Sequence, residues 1–218
     1  MNSEAESRAH FDRWAESYDQ EVGTSSEFPL AQYRDVLSCL TSLADARPDM
    51  SVLDLGTGTG NLAELFFTQG CSVWATDSSP RMIDRARAKQ PGIRFSISDL
   101  RDGVPAAAPR RLDRIVSAYA FHHLELRDKA ALIENLALRH LLPHGRLLVA
   151  DVAFRTARER EAAASRYSDH WDPSEHYWAV DETEAILRPV PIDVSYSRVS
   201  SFAGVFVVQA TPAAEGDG

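Results

Sequence analysis

The chain has 218 residues, 44% hydrophobic and 25% charged, with a formal net charge of −9 at pH 7. That length suits one α/β domain able to bury roughly 70% of its unfolded surface, and the acidic balance argues against nucleic acid, whose binding rests on neutralising phosphates. Cys39 and Cys71 have no metal-type spacing, so a reduced cytoplasmic setting without a structural metal is expected. No signal-peptide apolar region and no bilayer-length apolar run occurs, so no membrane association is expected.

Residues 7–22 carry Phe11, Trp14, Ala15, Tyr18 and Val22 at helical spacing, which predicts one helix laying an aromatic face on the body. Residues 30–46 predict a second amphipathic helix, ended by Pro48; together they form an N-terminal cap over 1–46. An apolar run at 52–55 then reads as a buried strand. It empties into Gly56, Gly58 and Gly60, and Asn61 opens an amphipathic helix.

A strand, a glycine turn and a helix N-terminus make a pocket where backbone N–H groups face a polar ligand. The spacing narrows the ligand. The dinucleotide fingerprint would need glycine where Asn61 stands, and a phosphate loop would need a lysine after Gly60. The pattern is instead D-x-G-x-G-x-G beginning at Asp54. An acid there repels a pyrophosphate and suits a ligand bearing an ammonium group.

Residues 71–76 predict a second strand that ends at Asp77, 21 residues beyond Gly56. At that distance a second strand delivers a carboxylate to a ribose. A third strand, 93–97, ends at Asp99, where the carboxylate suits an exocyclic adenine amine. Two plainer roles stay open: Asp77 as the cap of a helix starting near Pro80, and Asp99 as a turn initiator.

A Pro- and Ala-rich loop at 103–110 leads to a fourth strand at 112–117. His122 and His123 follow it, and a histidine can take a proton from a substrate near pH 7. A helix at 128–141 and a His144-Gly145 turn precede a fifth strand at 146–152, which carries Asp151, placed to orient such a histidine or to hold a polar substrate. Residues 154–191 form the expected substrate lid: a charged helix, then Tyr167, His170, Trp171, His176, Tyr177 and Trp178 as a wall able to face a cation. Packing of the insertion onto the sheet is the alternative for those aromatics. Residues 192–199 and 202–210 predict a closing antiparallel pair, and the tail from Thr211 is expected to fray.

With these motifs the chain resembles the class I S-adenosylmethionine (SAM)-dependent methyltransferases. It is most similar to the small YrrT-like group, through Phe11-Asp12-Arg13-Trp14-Ala15-Glu16-Ser17-Tyr18-Asp19 and Tyr119-Ala120-Phe121-His122-His123-Leu124. The resemblance implies a doubly wound, seven-stranded, mostly parallel sheet whose last strand is antiparallel. It implies SAM as cofactor and S-adenosylhomocysteine as product, with Gly56 on the methionine part, Asp77 on the ribose and Asp99 on the adenine. Tyr18 would close over the methionyl end and Leu100 would contact adenine; Asp54, Gly58, Ser78 and Ser117 complete the expected contacts. Its motifs do not name the methyl acceptor. A small molecule is expected, received by a monomer or homodimer, with a SAM sensor or an RNA- or protein-directed enzyme as alternatives. No metal is expected at the site.

Overall fold

The computed structural model describes residues 3–211. Three helices come first: α1 (Ser3–Trp14), α2 (Tyr18–Thr24) and α3 (Tyr33–Ala44). Then β1 (Ser51–Leu55), α4 (Asn61–Thr68), β2 (Ser72–Asp77), α5 (Pro80–Lys89), β3 (Arg94–Ile97) and β4 (Leu112–Ala118) alternate. The second half holds α6 (Leu126–Asn135), β5 (Leu141–Phe154), α7 (Ala157–Arg166), β6 (Trp178–Ala179), α8 (Val180–Leu187), β7 (Ile192–Arg198) and β8 (Ala203–Ala210).

The strands form one sheet in the order β3-β2-β1-β4-β5-β8-β7, with β6 paired to β5 off that path. Strands β3, β2, β1, β4 and β5 run parallel, and β8 lies antiparallel between β5 and β7. The expected seven strands are therefore present, with β6 as a two-residue addition. β1 sits in the middle, and Val52 through Leu55 are all buried, as a strand covered on both faces requires. One core cluster joins α3 and α4 to the sheet through residues such as Leu40, Phe66 and Val116. The other joins α6 and α8 through Ile133, Leu187 and Phe206.

Three predicted elements differ. The single helix over 7–22 is two, broken between Trp14 and Tyr18. Asp12 accepts from Ser79 Oγ and from the Arg81 amide, while Asp19 accepts from Thr59 Oγ1, Asn61 Nδ2 and Lys89 Nζ. The bend thus lets two carboxylates seven residues apart in sequence dock on separate parts of the body. The helix predicted to reach residue 141 stops at Asn135 and continues as a wider π-helical turn, Leu136–His140. Strand β5 then starts at Leu141, not Arg146; Leu141 pairs Leu112 before a register shift restores the ladder at Arg146. Thr211 is not frayed, since its amide donates to Pro191 O at 3.0 Å; the tail from 212 lies outside the described residues.

Candidate active site

The carboxyl ends of β1, β2, β3 and β4 share one edge of the sheet, where open α/β sheets bind ligands. At the end of β1 the chain turns through Gly56, Gly58 and Gly60, with φ of 70°, 55° and 87°, a left-handed region that side chains disfavour. A Cβ on Gly56 would stand 2.5 Å from the Ala120 Cβ. Gly58 differs: a Cβ there would only touch the Tyr18 ring, 3.8 Å away, so Tyr18 lies close over the turn at this point.

Asp54 and Asp77 hold this turn from below and from the side. Asp54 is fully buried and accepts from Thr57 Oγ1 at 2.6 Å, while its other oxygen has no partner. Burial, with lesser help from Asp77, pushes its carboxyl up to about 7. Asp77 accepts from the Gly58 amide at 2.8 Å and from the Ser79 amide at 2.9 Å; burial raises its carboxyl too. The helix α5 is capped by Ser79, whose side chain accepts from the Met82 amide. Asp77 is therefore not that helix's cap. Its carboxylate joins the glycine turn to the end of β2.

A cavity of about 730 Å³ opens along this edge, within the range of small-molecule and cofactor sites. Gly56, Gly58, Asp77, Ser78, Asp99 and Leu100 line one part, and Tyr18, Trp14 and Phe11 form a wall over it. Trp14 meets Tyr18 edge-on with ring centroids 4.7 Å apart. Asp99 lines the cavity and also caps the short turn Leu100–Asp102, accepting from the Arg101 amide at 2.8 Å. Both readings of Asp99 as a turn residue and as a cavity carboxylate thus hold geometrically.

The other part of the cavity is lined by Tyr119, His122, His123, Glu175 and His176. His122 is held from two directions by Asp151. Its amide donates to Asp151 Oδ2 at 2.9 Å, and its Nδ1 lies 2.6 Å from Asp151 Oδ1. Trp178 Nε1 donates to the same carboxylate at 3.1 Å. Burial alone would discharge His122, but the Asp151 carboxylate outweighs it and raises the imidazole's affinity for a proton. Burial opposes the charge on Asp151 as well, and His122 outweighs it, lowering the carboxyl. Burial and the neighbouring His122 push His123 down to about 3.

The segment facing His122 is pinned to it. The His176 amide donates to His122 O at 2.7 Å, and Lys129 Nζ donates to His176 O. Lys129 is buried, with its ammonium 4.4 Å from the Trp178 ring centroid; burial pushes it down to about 8.

Several expected contacts lie elsewhere. Ser117 is buried, and its hydroxyl donates to Leu55 O at 2.7 Å, so it ties β4 to β1 and does not line the cavity. Asp54 and Asp151 stand behind the lining; Asp151 orients His122 and does not itself face the space for a substrate. Trp171 and Tyr177 pack with Phe28 in an aromatic cluster, Phe28 stacking on Trp171 at 5.7 Å. Trp178 packs between Phe121 and Phe206 in the core, and His170 reaches Glu27 at 3.4 Å. None of these four lines the cavity. The packing alternative describes them, because bulky rings gain more by excluding water from the insertion than by facing an open cleft. Of the expected wall, His176 does line the cavity, joined by two residues not singled out as site candidates, Tyr119, whose φ is 54°, and Glu175. The polar stretch Asp172–His176 carries no hydrophobic periodicity to mark Glu175 as a lining residue.

A methyltransferase-domain family model matches residues 52–145. An uncharacterized methyltransferase of Geobacillus sp. (strain WCH70) is 33% identical over 209 residues, covering 89% of this chain and 93% of its own. The chain belongs to the class I SAM-dependent methyltransferases. A second relative, from Geobacillus thermodenitrificans, is 34% identical over 89% of this methyltransferase and 93% of its own length. Among solved structures, a SAM-bound complex of the protein DhpI superposes with a TM-score of 0.70 at 19% identity, over 92% of this chain and 94% of that one. Magnesium protoporphyrin IX methyltransferase of Synechocystis superposes at 0.71 and 15% identity, over 96% and 100%. These two likenesses concern the fold. No helix among the described residues is long and apolar enough to cross a membrane.

Proposed function

We propose that this enzyme methylates a small molecule that enters the His122 end of the cavity, in the cytoplasm. The reading is carried by one observation: a single cavity joins the glycine turn and Asp77 to His122 and His123. Its residues suit SAM. The Gly56–Ala120 approach leaves bare backbone at the lip, and Asp77 keeps lone pairs beyond those taken by Gly58 and Ser79 for two ribose hydroxyls. Asp99 and Leu100 flank the space for an adenine, and Tyr18 covers the methionyl end.

SAM brings a methyl group made electrophilic by its sulfonium. The chain's part is to align and to exclude water. Phe11, Trp14 and Tyr18 cover the cleft, and alignment of a nucleophile with the methyl can itself remove much of the barrier. Asp151 keeps the proton on His122 Nδ1, which leaves the Nε2 lone pair free to accept the acceptor's proton. His123 stays neutral beside it.

The test is transfer of labelled methyl from SAM into a pool of small metabolites, with and without added RNA and protein. Label in a low-molecular-weight product supports the reading. Label confined to RNA or protein overturns the acceptor class, and SAM binding with no product from any pool makes the protein a sensor.

A further inference from the structure

We propose that His122, His123 and Glu175 form a site for a divalent transition-metal ion, Zn²⁺ being the best match. The site lies at the acceptor end of the cavity, and its placement there rests on the proposed function. His122 Nε2 lies 3.6 Å from Glu175 Oε1, and His123 Nδ1 lies 4.0 Å from the same oxygen. One donor atom from each residue falls within 4.8 Å of the other two. Tetrahedral bonds of about 2.0–2.1 Å set donors roughly 3.3 Å apart, so small side-chain rotations close this set around an ion.

Two features separate it from a chance meeting of polar groups. The first lies behind the donors. Asp151 Oδ1, 2.6 Å from His122 Nδ1, fixes the tautomer that leaves Nε2 unprotonated, the carboxylate–histidine arrangement that orients metal ligands. Behind Glu175, burial and the nearby Glu175 carboxylate hold the proton on the Tyr177 phenol. The second is access. All three donors line the cavity, so a fourth position faces the open space, as in zinc sites that keep one position for a small ligand. Two imidazoles and a carboxylate select Zn²⁺ and its neighbours over Ca²⁺ or Mg²⁺, which prefer all-oxygen shells. Lys129 opposes a cation here, but Asp151 and Glu175 together outweigh its single charge.

The ion and a proton use the same lone pair on His122. An occupied site therefore stops His122 from accepting the acceptor's proton, and the metal acts as an inhibitor of any transfer that needs a base.

The experiment is calorimetric titration of Zn²⁺ into the full-length protein loaded with S-adenosylhomocysteine, backed by the visible absorption of Co²⁺. One equivalent should bind, with the intense visible bands of four-coordinate Co²⁺. Glu175→Gln and His123→Ala should each weaken binding at least tenfold, and Asp151→Asn about 10–100-fold. Glu175 and His123 are partly exposed, so both variants should fold; circular dichroism checks this. No binding, or binding unchanged in Glu175→Gln and His123→Ala, overturns the site. Loading with S-adenosylhomocysteine is measured separately, so its failure would count against the methyltransferase site and leave the metal result standing.

Discussion

Asp151 reaches His122 across 29 residues of chain and holds both its amide and its imidazole Nδ1. The carboxylate is fully buried, and it also accepts from the Trp178 indole at 3.1 Å and from the Val152 amide at 2.8 Å. The contact joins β5 to the loop after β4, so the sheet itself sets where the imidazole points.

Asp151→Asn keeps the shape and removes the charge. We expect kcat for a base-requiring acceptor to fall about 10²-fold, with SAM affinity within a few-fold of wild type, because the change lies at the other end of the cavity. Breaking a buried pair also costs about 3–5 kcal/mol of stability, visible in urea unfolding. An unchanged kcat would remove His122 from the chemistry.

Gly56→Ala should cost both stability and SAM binding. The new Cβ meets Ala120 Cβ at 2.5 Å, and the φ of 70° disfavours any side chain by about 1–2 kcal/mol. Ala120→Gly in the same chain relieves the clash and leaves the dihedral cost. The double variant should therefore recover part, but not all, of the lost melting temperature. Strict additivity of the two changes would contradict the contact.

The Asp54 carboxyl gives a pH signature. Burial raises it to about 7 in the folded protein, against about 3.9 in an unfolded chain. The fold therefore favours the protonated form. The stability it adds is fully present below the unfolded value and is lost as pH rises through about 7, a swing on the order of 4 kcal/mol. Asp54→Asn carries no ionisable group and should flatten that slope between about pH 4 and 7, measured by chemical unfolding of the ligand-free protein. An equal slope in both proteins would place the titration elsewhere.

What was legible in the sequence were features with a local cause. The apolar run at Val52–Leu55 reads as a buried strand because it is short and empties into glycines, and Gly56 and Gly58 mark a turn because glycine alone lets a ligand approach the main chain closely. Asp77 and Asp99 could be placed because parallel strands end on one edge. The acceptor end was not legible in the same way. Trp171, Tyr177 and Trp178 suggested a wall by their size, yet size drives burial, and Phe28, Phe121 and Phe206 are the partners that take them inward. Glu175 and His176 carry no periodic signal; they reach the cavity because Lys129, 47 residues earlier, holds the His176 carbonyl. The break between α1 and α2 was hidden for a similar reason, since Asp12 and Asp19 find their partners only in the folded body.

The central claim is that the glycine turn and Asp77 hold SAM, and calorimetry of SAM with wild type and Asp77→Ala tests it most directly. Because Asp77 also anchors the Gly58 and Ser79 amides, the variant should lose about 1–3 kcal/mol of stability while keeping its circular dichroism. Its SAM affinity should fall at least a hundredfold. A folded Asp77→Ala protein that binds SAM as tightly as wild type would contradict the account.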